Sequence, residues 1–147
     1  MHSEQVTINV VSKGPLRIDY QTDGSAGMDL PYYGEIPITI PSNGRALIPI
    51  GISIAIPPGY EGQVRSRSGL AMKHGLMVLN SPGTIDSDYR GEVKVILYNS
   101  SSQEYTVYPN DRVAQLVIAK TPRVVLQAVK SLDSTDRGKG GMGHTGR

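Results

Sequence analysis

Ile48-Pro49-Ile50-Gly51-Ile52-Ser53-Ile54-Ala55-Ile56 decides the fold class. Five isoleucines at every second position line one face of an extended strand, the period-2 signature of a sheet buried on one side. A helix would scatter them around its axis. Working outward, Val6-Thr-Ile-Asn-Val10 and Ile36-Pro-Ile-Thr-Ile40 repeat the alternation. Val93-Lys-Val-Ile-Leu-Tyr98, Val113-Ala-Gln-Leu-Val-Ile118 and Val124-Val-Leu-Gln-Ala-Val129 are denser and read as strands covered on both faces. Pro41-Ser-Asn-Gly44, Pro57-Pro-Gly59, Ser81-Pro-Gly83 and Pro109-Asn-Asp111 separate them as turns. With 17 Gly and 10 Pro in 147 residues, few positions suit a helix interior. The pattern predicts an all-β, jelly-roll-like β-sandwich. One very short helix is expected at Gly69-Leu-Ala-Met-Lys-His74, with Ser68 as N-cap and Gly75 just past its end.

Residues 1–130 read as a single domain and 131–147 as a flexible, glycine-rich C-terminal tail. The tail, Arg137-Gly-Lys-Gly-Gly-Met-Gly-His-Thr-Gly-Arg147, has almost nothing apolar to bury. Its glycine N–H groups and its cations suit a polyphosphate, so it reads either as a flap that closes on a ligand or as a loose end. It matches G-x-G-x-x-G literally, but only four residues follow, which excludes the helix that a dinucleotide fingerprint opens.

Charge and composition exclude other classes. A formal net charge of +2 from 15 basic and 13 acidic residues gives no basic face for nucleic acid. The sequence contains no Cys, so neither disulfides nor thiolate metal sites arise. Met1-His-Ser-Glu-Gln-Val-Thr7 lacks a basic-then-apolar signal region, and no apolar run reaches membrane length. The expectation is a soluble, cytoplasmic protein that binds no membrane. His2, His74 and His144 have no metal-ligand spacing.

Two further segments carry chemistry. Arg65 and Arg67 precede the short helix, so Arg67-Ser68-Gly69 reads as an anion cradle or as an ordinary capped helix with exposed arginines. Asn80-Ser-Pro-Gly-Thr-Ile-Asp86-Ser-Asp88-Tyr89-Arg90-Gly91 is a polar loop between apolar strands. Asp86 and Asp88 fit a water activator beside a structural anchor, a shared metal site, or simple Asx turns.

Taken together, Ala26-Gly-Met-Asp-Leu30, Arg67-Ser-Gly-Leu-Ala71, Gly83-Thr-Ile-Asp-Ser-Asp-Tyr-Arg-Gly91, Asp111-Arg-Val-Ala-Gln115 and the tail from Arg137 resemble the five motifs of the trimeric dUTPase family, in order and over nearly the whole chain. The resemblance implies a β-clip jelly roll that hydrolyses dUTP to dUMP and pyrophosphate, supplying dUMP for dTTP synthesis and keeping uracil out of DNA. It implies that Asp86 activates a water for in-line attack on the α-phosphorus. It implies phosphate contacts from Arg67, Ser68, Gly69, Gln115, Arg137, His144 and Thr145. It further implies uracil and deoxyribose contacts from Asn80, Gly83, Thr84, Ile85, Tyr89 and Met142, with Tyr89 excluding a 2′-hydroxyl. Asp29, Asp88 and Asp111 are expected to organise loops. Mg²⁺ is implied on the substrate phosphates with no direct protein ligand, and a homotrimer with sites shared between subunits.

Four positions depart from the family pattern. Met142 stands where Phe is usual and His144 where Ser is usual, while Ser66 and Asn110 replace Pro and Gly. Asn tolerates a left-handed turn, so the turn at Asn110 is expected to survive. Two rivals stay open on sequence alone. A dCTP deaminase would need a glutamate near the pyrimidine, for which Glu92, beyond the loop in a predicted strand, is the nearest candidate. A nucleotide-sensing module would use the same loops without turnover.

Overall fold

Ile48, Ile50, Ile52, Ile54 and Ile56 are all buried, none more than 5 % exposed. Each contributes up to about 1.5–3 kcal/mol relative to exposure. The first four belong to β4 (Arg45–Ala55), the longest strand, and Ile56 lies just beyond its end. The computed structural model describes residues 4–147. The readings that rest on Met1, His2 and Ser3 lie outside the described residues.

Around β4 the chain forms β1 (Asn9–Ser12), β2 (Met28–Pro31), β3 (Ile38–Ile40), β5 (Tyr60–Arg65), α1 (Ser68–His74), β6 (Leu76–Val78), β7 (Gly83–Ile85), β8 (Glu92–Asn99), β9 (Tyr105–Val107) and β10 (Arg112–Lys120). Two four-stranded antiparallel sheets result, ordered β1-β4-β8-β6 and β2-β10-β5-β7, with β3-β9 as a separate pair. The apolar core joins residues of both sheets: Ile48 and Val95 from one, Leu30, Val64, Ile85 and Leu116 from the other. The predicted jelly-roll-like sandwich is therefore the observed architecture.

Several elements differ from the sequence expectation. Residues 124–129 form no strand, and Val125 and Leu126 are 88 % and 93 % exposed. Their composition is that of a strand, but among the described residues no strand pairs with them. β8 and β10 bury one face while the other is only partly covered, so period 2 persists where coverage on both faces was expected. β1 and β3 start later than the alternation of Val6–Val10 and Ile36–Ile40 implies, at Asn9 and Ile38. Ser68 is the first helical residue and makes no capping bond. Arg67 occupies the cap position in an extended conformation. Gly75 closes α1 with φ +66, as expected.

Asn99 is the one fully buried polar side chain among the described residues. Its Nδ2 donates to the carbonyls of Ile40 (3.1 Å) and Gln103 (2.8 Å), and its Oδ1 accepts from Ser101 N (3.0 Å) and Oγ (2.8 Å). Thus the end of β8 is tied to β3 and to the turn after it, with no buried side-chain polar atom left unpaired among the described residues. No described helix is long and apolar enough to cross a membrane.

Candidate active site

The second sheet brings three separated stretches of sequence together. On β10, Gln115 lies opposite Asp29 of β2 on one side and Arg65 of β5 on the other. Asp29 then bridges two cations, Oδ1 to Arg67 Nε at 3.2 Å and Oδ2 to Arg112 Nη1 at 3.4 Å. Arg67 Nη1 also donates to the Arg112 carbonyl at 2.9 Å. The β2–β10 register slips by one residue at Val113, a bulge of the kind that re-aims a neighbouring side chain, here Arg112. Gln115 Nε2 donates to Ser66 O at 3.0 Å, and its Oε1 lies where a Cβ on Gly27 would stand, so a side chain there would displace it. Ser68 and Gly69 follow Arg67 directly, and open space surrounds the place of a Gly69 Cβ. Asp111 accepts the Tyr108 N–H at 2.8 Å and fixes the turn in which Asn110 adopts φ +72, as expected for that residue.

At the other end of the same sheet, the hairpin after β7 forms a cleft of roughly 200 Å³. Its walls include Thr84, Ile85, Asp86 and Tyr89 from the hairpin and Glu92 and Lys94 from β8. Asp86 and Asp88 are exposed. Asp86 makes no side-chain hydrogen bond or ion pair within the described chain. Tyr89 N–H donates to Asp86 O at 3.1 Å, and its Oη donates to Glu92 O at 2.9 Å, folding the loop back on β8. The ring fills the place a Cβ on Gly91 would need. Asn80 stands beside Gly83, its Nδ2 3.2 Å from where a Gly83 Cβ would lie. Lys13 Nζ sits 2.5 Å from Glu92 Oε1, and that carboxylate holds the ammonium pKa above its ordinary value. A larger recess of roughly 400 Å³, lined by Gln63, Arg65, Ser66, Ser81 and Pro82, contains none of the predicted site residues.

These two clusters do not meet within one chain. Ile85 pairs with Gly62, and Arg67 lies five positions further along the β5 direction while Asp86 continues the opposite way. At about 3.3 Å per residue the separation is roughly 20 Å. The tail joins neither cluster. Arg137 Nε donates to Gly140 O at 2.7 Å, His144 packs against Gly140, and the hydrogen bonds of residues 135–147 all stay inside that segment. Met142 and Thr145 are exposed there.

Arg112, directly after Asp111, and Lys94 take part without any sequence pattern that singles them out. Ser66 Oγ accepts the Val78 N–H at 2.8 Å, a tie that a proline could not make. Lys94 and Glu92 share the outward face of β8, which its period-2 pattern already implied. Glu92 opens β8, beyond the loop as expected, and the hairpin folds back so that it also lines the cleft.

A β-sandwich with motifs split between two ends of one sheet defines a narrow class. The dUTPase family model matches residues 17–146. The deoxyuridine 5'-triphosphate nucleotidohydrolase of Fusobacterium nucleatum is 49 % identical over 98 % of this chain and 99 % of its own length. That of Syntrophotalea carbinolica is 51 % identical over 86 % of each chain. The chain belongs to the dUTPase family. In fold it is similar to the dUTPase of Staphylococcus bacteriophage 80alpha solved with dUpNHpp, with a TM-score of 0.86 over 97 % of this chain and 100 % of that one at 24 % identity. It is also similar to the dUTPase of phage phi11 of S. aureus, for which coordination of a structural Mg(II) ion is described (TM-score 0.77, 23 % identity, 88 % of this chain and 100 % of that one).

Proposed function

We propose that this chain hydrolyses dUTP to dUMP and pyrophosphate in sites assembled from several copies of itself. The observation that carries the mechanism is Asp86, an exposed carboxylate with no partner of its own at the lip of a cleft walled by Tyr89. A carboxylate so placed can take a proton from a water whose oxygen attacks the α-phosphorus. The new bond is water oxygen to phosphorus. The bond that breaks joins phosphorus to the bridging oxygen, and pyrophosphate leaves with that electron pair. Holding water and phosphorus in line is worth roughly 7–11 kcal/mol of the barrier.

Each remaining residue has a role in this reading. Asn80, Gly83, Thr84 and Ile85 hold the base, and Tyr89 packs on the deoxyribose so that a 2′-hydroxyl clashes. Arg67, Ser68, Gly69 and Gln115 of a neighbouring copy contact the phosphates, with Arg67 oriented by Asp29. Arg137, His144 and Thr145 close from the tail, residues 131–147, over the domain formed by 1–130, and Met142 covers the uracil. Asp88 and Asp111 shape their loops. The roughly 20 Å between Asp86 and Arg67 supports shared sites, and a homotrimer is the assembly this family resemblance suggests. A cytoplasmic setting belongs to the same reading.

Among the described residues no three His, Cys, Asp or Glu side chains group to hold a metal. In this reading Mg²⁺ is held by the substrate's phosphate oxygens and water, with no direct protein ligand. Once bound there, the ion supplies charge neutralisation on the phosphates.

The test is pyrophosphate release from dUTP, UTP, dTTP and dCTP, with ammonia measured alongside. Cleavage of dUTP alone is expected. Ammonia from dCTP would favour the deaminase, and binding without turnover the sensor. Asp86→Asn should lower turnover about 10²- to 10⁴-fold with nucleotide affinity largely kept. Near-normal turnover would remove Asp86 as water activator.

A further inference from the structure

We propose that Lys13 and Glu92 are positioning residues for Tyr89 and thereby set discrimination against ribonucleotides, an inference that rests on the reading of Tyr89 above. The argument starts from an irregularity in the first sheet. From Arg45↔Tyr98 to Pro49↔Lys94 the β4–β8 ladder is regular. Regular continuation would bring Gly51 opposite Glu92, but Ser53 stands there instead. The excess residues sit at Gly51, which has φ +77 and the Tyr33 ring packed where a side chain would project. Such a break loosens the pairing of the strand that follows it.

The break coincides with the cleft. On its far side β8 pairs with β6 only through Leu97, Tyr98 and Asn99, so the start of β8 has no ladder there. Tyr89 hangs from this weakly held end, since its Oη donates to the Glu92 carbonyl. Lys13 supplies the missing tie. Its backbone N–H donates to Gly51 O at 2.9 Å, and its ammonium reaches over β4 to Glu92 Oε1 at 2.5 Å. The Glu92 side chain is 16 % exposed, so the pair is shielded at one end. Excluding a single hydroxyl depends on small displacements of the Tyr89 ring, and the Lys13–Glu92 pair limits them. Glu92 thus acts through Tyr89, as an anchor and not as a proton shuttle.

The experiment compares kcat/KM for dUTP and UTP in the full-length assembled protein. Because both nucleotides carry the same triphosphate, faults in phosphate binding, assembly or folding cancel in their ratio. Lys13→Met and Glu92→Gln should each lower the dUTP/UTP ratio about threefold to fivefold, the scale of a partly exposed ion pair. The exchanged pair, Lys13→Glu with Glu92→Lys, should recover most of it. Tyr89→Ala serves as the reference and should lower the ratio further. An unchanged ratio in Lys13→Met and Glu92→Gln, with a collapsed ratio in Tyr89→Ala, overturns the inference and leaves the Tyr89 reading standing. An unchanged ratio in Tyr89→Ala overturns both.

Discussion

Mixing two inactive variants, Asp86→Asn and Arg67→Ala, should restore activity that neither has alone. Within one chain the two side chains start roughly 20 Å apart along the β5–β7 ladder at about 3.3 Å per residue, counted from the Ile85↔Gly62 pair. One bridging water spans only about 6 Å, two hydrogen bonds end to end. In the proposed assembly the two groups on one triphosphate therefore come from different copies. If each site takes Asp86 from one copy and Arg67 from the next, random co-assembly at equal amounts leaves about one quarter of sites with both wild-type residues, whatever the ring size. The remaining sites carry at least one defect. Pyrophosphate release by the co-refolded or co-expressed mixture should reach about a quarter of the wild-type rate, against parents about 10²-fold or more below it. Mixed but unexchanged protein supplies the baseline. Activity equal to the mean of the two parents, after exchange of copies has been verified, would show that the site is built within one chain, and the ladder argument would fail.

Two other perturbations separate function from stability. Removing residues 137–147 should reduce turnover about 10²-fold or more with a melting temperature close to that of the intact chain, because the hydrogen bonds of residues 135–147 stay inside that segment. A large fall in melting temperature would contradict a flap. Asn99→Ala should do the reverse. It removes the amide's partners from the Ile40 carbonyl and the Ser101 N–H, while the Gln103 carbonyl keeps the Ser101 hydroxyl, for a cost of about 2–4 kcal/mol. That corresponds to a fall of about 4–16 °C in a thermal scan, while kcat for dUTP at low temperature should be retained. An unchanged melting temperature would mean that water replaces the amide without loss.

The strands were legible wherever the buried face is continuous and the turns carry their own chemistry. The isoleucines of β4 could be assigned to one face because only one register buries all of them. The left-handed turn at Asn110 could be anticipated because few side chains tolerate that conformation. What period 2 cannot give is coverage, which depends on what stacks against a face. That is why Lys94, Ile96 and Tyr98 came out on the partly open side of β8 when Val93–Tyr98 had looked covered on both. Cross-strand partners were also invisible. Asp29, Arg67 and Arg112 are far apart in sequence, and only the β2–β10–β5 register and the slip at Val113 make them one ion-paired group. That Glu92 also lines the cleft was invisible for a similar reason, since a loop of polar residues does not announce that it folds back on the strand that follows.

Residues 124–129 carry apolar surface that the fold of one chain leaves exposed. Val124, Val125, Leu126 and Val129 have the composition of a core strand and are between 58 % and 93 % exposed. Contiguous apolar surface of this kind marks an interaction site in most proteins. Within the proposed assembly the segment has a defined use, because it connects the end of β10 to the tail that must reach a site built partly from another copy. An apolar connector docked on a neighbour would bring the glycine-rich segment near the phosphates, with its turns bonded only to one another until a nucleotide arrives. Ordering the tail then draws on binding energy from the triphosphate, which is why its removal should weaken turnover and spare the fold.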